Sequence, residues 1–146
     1  MPPRPLSDLV RRLGLEREPP LLARALTHGS AKERGGVMPK NDNLAFLGDA
    51  VLELAIRHRG WDGSEAVRVG DLSLGADEVA PDRALAPLAK NAQLHAYMLR
   101  GGSDGASADS VLASALEALI AAVFLAEGYE EAERVAGLFL DGAVPL

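Results

Sequence analysis

From Ser110 to Ala126 apolar residues run almost all the way round a helical repeat, and one carboxylate, Glu117, sits among Leu116, Ala118, Leu119 and Ile120. A helix that is apolar on every side belongs in the middle of a fold, with other elements packed around it. Glu117 is then the anomaly. A carboxylate in such a setting is costly if dry and unpaired, so it requires a metal, a cationic partner or a route to water. The stretch is too short for a comfortable membrane span and is interrupted by Ser114 and Glu117, so no membrane partner is expected.

The remaining chain supplies the elements that would surround this helix. Alanine and leucine dominate and aromatic residues make up only 4%, which favours helices over strands. The fold class read from this is all-α, as a single domain over residues 1–146, with no internal repeat. Ser7 is placed to cap a short helix over Asp8 to Leu13, and Pro19-Pro20 to open another through Leu21, Leu22, Ala25 and Leu26. Lys32 to Lys40 reads as an exposed loop. A longer helix should begin near Asn41 to Asn43 and stop at Gly60, with Leu44, Leu47, Val51, Leu54 and His58 as its apolar stripe and Asp42, Ala45, Asp49 and Glu53 on the opposite flank. Glu65 to Pro81 is interrupted by glycines, Leu85 to Leu94 suggests a short helix before Tyr97, and Gly101 to Asp109 has loop composition. A final amphipathic helix over about Tyr129 to Leu140 spaces Glu130 and Arg134 to pair.

A net charge of −6 argues against a surface that grips nucleic acid unaided, because that affinity comes largely from Lys and Arg displacing counterions. No cysteine is present, which excludes disulfides and cysteine zinc sites and suits a reducing compartment. With no apolar run resembling a leader near its first residues, the chain is expected in the cytoplasm.

Several segments, in order, resemble the ribonuclease III catalytic domain, over roughly residues 21–140. Leu26-Thr27-His28-Gly29-Ser30 is similar to a Leu-Thr-His-x-Ser element. Asn41 to Leu52 resembles the family's signature helix, Asn-Glu-Arg-Leu-Glu-Phe-Leu-Gly-Asp-Ala-Val-Leu, with Ala45 where its second Glu belongs and Asp49 retained. Gly70-Asp71-Leu72-Ser73 and the run from Leu85 to Tyr97 follow. Val111 to Ile120 resembles Ile-Leu-Ala-Asp-x-x-Glu-Ala-Leu-Ile, with Glu117 retained and Ser114 in place of the Asp. The family's basic stretch after Gly-Glu-Leu-Ser is replaced by Leu74-Gly75-Ala76-Asp77-Glu78. The resemblance ends near Leu140, so the appended double-stranded-RNA-binding domain of longer members is expected to be missing.

The resemblance implies an all-helical domain that forms a homodimer through Phe46, the aromatic knob inserted into the neighbouring subunit. It also implies a Mg2+ or Mn2+ site that hydrolyses double-stranded RNA, built in the family from four carboxylates. Here only Asp49 and Glu117 of that catalytic and metal-binding set remain. At a separation of about 4 Å the attraction between unit charges is on the order of 4 kcal/mol at an effective dielectric near 20, and doubles for a divalent ion. Losing two such terms implies an inactive or strongly impaired nuclease, whose partners would be structured or double-stranded RNA, a protein, or a competent paralogue in a heterodimer. The alternative is an active metal-dependent endoribonuclease using Asp49 and Glu117 with substitute ligands, for which Asp42 and Glu53 are the nearest acids in sequence.

Other roles stand beside these. Asp49 is also readable as a polar residue on an exposed flank, Glu117 as half of a buried ion pair with Arg57 or Arg59, and Phe46 as ordinary core packing. His28 reads as a hydrogen-bonded structural residue, Trp61 and Tyr97 as packed rather than stacked on bases, and the arginines of the first quarter as a solubilising surface.

Overall fold

In the computed structural model the described residues are 2–28, 32–33, 36–37, 41–61, 63, 82–99 and 108–146. They form α1 (Leu6–Arg12), α2 (Leu22–Ala25), a hairpin of β1 (Lys32–Glu33) and β2 (Gly36–Val37), α3 (Asp42–Gly60), α4 (Asp82–Asn91), a 3-10 turn (Leu94–Tyr97), α5 (Ala108–Glu127) and α6 (Tyr129–Leu140). The architecture is helical, as composition predicts. Within the loop expected over Lys32 to Lys40, Lys32 pairs opposite Val37 and Glu33 opposite Gly36; its other residues lie outside the described ones.

Helix α5 is the axis of the fold. Every residue from Val111 to Val123 except Ser114 is buried, and α3, α4, α6 and α2 all pack on it, α3 most extensively. By length and apolarity alone this helix is long enough to cross a membrane, with a mean hydropathy of 1.8 over its most apolar window. Its apolar surface is instead covered by its neighbours.

The face that α3 turns inward is Leu44, Gly48, Val51, Leu52 and Ala55. The expected stripe is therefore rotated. A row spaced by three and four residues drifts round the helix, so Leu54 and His58 fall outside the contact and are exposed, Leu54 by 54%. Gly48 takes the centre instead.

At the amino-terminal end Pro5, not Ser7, precedes the first turn of α1, and no side chain caps it. Arg12 departs furthest from the solubilising role. It is buried and donates to the Tyr97 hydroxyl at 2.8 Å, the Ala92 carbonyl at 2.7 Å and the Pro145 carbonyl at 2.6 Å, which joins α1, the 3-10 turn and the carboxyl-terminal segment. Tyr97 is packed as expected, and its hydroxyl donates a hydrogen bond to the Asp8 carboxylate. Trp61 is 62% exposed, because it follows the last turn of α3 in extended backbone. Arg134 pairs with Glu131 rather than Glu130, since the three-residue spacing also lets the guanidinium reach the Leu13 carbonyl at 2.8 Å.

Candidate active site

The crossing of α3 and α5 sets the site. A Cβ on Gly48 would stand 1.7 Å from the Glu117 backbone oxygen and 2.4 Å from its carbonyl carbon. Only glycine lets the two helices approach this closely. The next residue along α3, Asp49, then projects at the rim of the crossing, and Glu117 lies at its floor with 9% of its surface exposed.

Glu117 and Asp49 meet through their carboxyl groups. Burial, then the hydrogen bond and negative charge of Asp49, then the charge of Asp82 push the Glu117 carboxyl up to about 8. At neutral pH the protonated Glu117 carboxyl donates a hydrogen bond to Asp49. Two like-charged groups sharing a low-dielectric site cannot both ionise cheaply.

Neither arginine offered as a structural partner is present. Arg57 reaches Glu53 at 3.7 Å and Arg59 reaches Asp141 at 2.5 Å, both towards the outside of the fold. No ion pair or hydrogen bond to a cationic side chain is made by Glu117 among the described residues. Of the substitute acids considered from sequence, Glu53 is paired with Arg57 and Asp42 is exposed at the first turn of α3, and among the described residues no group of three acids that could hold an ion forms. The additional acid that acts on Glu117 is Asp82, the first residue of α4. Nothing in the sequence singles it out, because an Asp opening a helix is ordinary helix chemistry.

Ala45, one turn before Asp49, packs against a small cluster of Ala25, Leu44, Ala118, Ala121 and Ala122. Ser114, one turn before Glu117, is half-buried. Ala45 and Ser114 thus each lie one turn before an acid of the pair, and neither carries a charge. Asn41 secures the start of α3: it is fully buried and donates to the Ala25 carbonyl at 3.0 Å. His28 is half-buried and held by its backbone N–H to Leu99 at 2.9 Å. Phe46 is 85% exposed, which removes the core-packing role, and Ala50 and Leu54 continue its exposed row. The Gly70 to Glu78 segments lie outside the described residues.

The donor set suits a hard divalent cation. Oxygen ligands are what magnesium and manganese take, and magnesium is commonly held by one or two carboxylates with waters completing its shell. A buried carboxyl forced against a second carboxylate, with no cationic partner among the described residues, is an arrangement such an ion relieves. Among the described residues no three acidic or histidine side chains stand close enough to hold an ion together. Among the described residues Asp49 and Glu117 are the two acids that meet at the crossing.

A family model described as Ribonuclease-III-like matches residues 18–141. Ribonuclease 3 of Corynebacterium efficiens is 38% identical over 133 residues, covering 88% of this chain and 54% of that protein. Ribonuclease 3 of Mycobacterium leprae is 38% identical over 157 residues, covering 97% of this chain and 64% of its own length. The chain thus spans little more than half the length of these relatives. Among solved structures, the nuclease domain of ribonuclease III from Campylobacter jejuni superposes with a TM-score of 0.83 at 30% identity, over 97% of this chain and 100% of that one; its description refers to structural flexibility in a region involved in dimer formation. With the match covering most of the sequence and the mostly helical fold shared along nearly its whole length, the chain belongs to the ribonuclease III family.

Proposed function

We propose that this domain acts in RNA processing or RNA–protein assembly as a homodimer whose cleavage of double-stranded RNA is abolished or strongly impaired. The observation that carries this reading is the pair at the α3–α5 crossing: Asp49 and Glu117 face each other with Ala45 and Ser114 beside them. A bound divalent ion would supply an activated water and charge stabilisation at the scissile phosphate. The chain's own residues can bind it only weakly. Asp49 and Glu117 provide two negative charges, and binding must first remove the proton from Glu117. Ala45 offers no ligand, and the Ser114 hydroxyl is neutral.

The dimer reading is supported by the exposed row Phe46, Ala50 and Leu54 on α3, since a large apolar side chain left this open on a folded domain is the kind that interfaces bury. The net charge of −6 makes a protein partner as fitting as RNA.

Incubation of the purified chain with labelled double-stranded RNA and Mg2+ or Mn2+, beside an Asp49→Asn, Glu117→Gln control, tests the reading. Cutting no faster than the control supports it. Metal-dependent cutting lost in the control would establish the active endoribonuclease instead.

A further inference from the structure

The last turn of α4, the 3-10 turn and the first turns of α5 surround a cleft of about 310 Å3, lined by Lys90, His95, Met98, Ala108, Val111 and Leu112. Its floor is apolar, because Met98, Val111 and Leu112 are core residues that show only their edges. Its rim is polar: Lys90 and His95 are exposed and come from two different elements. Between them Gln93 takes left-handed backbone (φ 58) and its N–H donates to the Lys90 carbonyl at 2.9 Å, which turns the chain out of α4 and brings both side chains to one opening.

Elsewhere on the described surface, arginines are matched to acids: Arg4 and Arg11 to Asp8, Arg17 to Glu127, Arg57 to Glu53, Arg59 to Asp141 and Arg134 to Glu131. The side chains of Lys90 and His95 have no such partner among the described residues. An ammonium and an imidazole, both able to donate to an anion, thus stand unmatched over apolar carbon on a chain of net charge −6.

We propose that this cleft binds a small apolar anion, a short aliphatic or aromatic body ending in a carboxylate. The body would lie on Met98, Val111 and Leu112, and the acid between Lys90 and His95. A volume at the lower end of the range for small-molecule sites, about 300–1,000 Å3, limits the ligand's size. An RNA backbone would use the rim alone and leave the apolar floor without a function. The cleft includes neither the Asp49–Glu117 pair nor Ala45 or Ser114, so the inference is independent of whether RNA is cut.

The competing role for Lys90 is local, as a cation favoured at the negative end of a helix. Octanoate and octanol, each used to displace anilinonaphthalene sulfonate from the full chain and followed by fluorescence, separate the two. Octanoate should displace the dye from one saturable site and octanol about tenfold more weakly, the scale of a charge-assisted hydrogen bond. Lys90→Gln with His95→Gln should remove that difference. Ala108→Phe, at the exposed first residue of α5, should weaken both ligands by occupying the cleft, and Phe46→Ala should change neither. Thermal midpoints without ligand identify any variant that has lost its fold. Equal displacement by octanoate and octanol would overturn the preference for an anion. Unchanged affinity in Ala108→Phe, or loss of dye binding in Phe46→Ala, would put the ligand elsewhere and overturn the cleft. Displacement by double-stranded RNA and not by octanoate would give the rim to nucleic acid and overturn the proposal as well.

Discussion

Gly48 touches Glu117 backbone to backbone: the space a Cβ would need on α3 is already filled by the Glu117 carbonyl, 1.7 Å away. The glycine therefore does more than permit tight packing. It sets the distance between Asp49, its neighbour, and the Glu117 side chain, so fold and site share one contact. Gly48→Ala must push α3 and α5 apart, and it should destabilise the domain by about 3 kcal/mol, the range of overpacked cores. Urea denaturation checks this, and a loss below about 0.5 kcal/mol would mean the helices yield at little cost.

Stability should fall as pH rises. An unfolded glutamate releases its proton near 4.5, whereas Glu117 in the fold holds it to about 8. Its contribution is therefore complete below the lower value and is lost as pH climbs through the upper one. For one proton the slope reaches at most about 1.4 kcal/mol per pH unit. Glu117→Gln removes this dependence while keeping a donor to Asp49. Urea midpoints measured in chelator between pH 5 and pH 9 should diverge for the two chains, and parallel curves would show that Glu117 does not hold its proton.

Phe46→Ala should weaken the proposed homodimer by about 2 kcal/mol or more, roughly thirtyfold in dissociation constant, as expected for a buried aromatic anchor. Sedimentation equilibrium reads this directly. An unchanged association constant would place the interface elsewhere.

Arg12→Met should cost about 2–3 kcal/mol, because the Ala92 carbonyl and the Tyr97 hydroxyl each lose a buried donor. Thermal unfolding measures the loss. The Asp49–Glu117 pair should be unaffected, since Arg12 lies among α1, the 3-10 turn and the Pro145 carbonyl.

The central helix, its buried Glu117 and the span of α3 were legible in the sequence because apolar periodicity reports burial along one element. Asp49 and Glu117 were singled out because their surrounding segments resemble a family pattern, and the fold brings their carboxyl groups together. Asp82 was not, since its effect on Glu117 arises where two helices meet and its local setting is that of any helix-opening aspartate. Arg12 was misread for the same reason: among the arginines of the first quarter, only its tertiary neighbours distinguish it. The Leu54 and His58 positions failed through the slow drift of a helical stripe, which the α3–α5 crossing at Gly48 resolves.

The most direct test of the electrostatic deficit is a single-turnover assay with labelled double-stranded RNA and saturating Mn2+, run on the unaltered chain and on the Ala45→Glu, Ser114→Asp double variant. The account predicts no cleavage above background for the unaltered chain and metal-dependent cleavage by the variant, whose two added carboxylates lie beside Asp49 and Glu117. Cleavage by the unaltered chain at a rate equal to the variant's would contradict it.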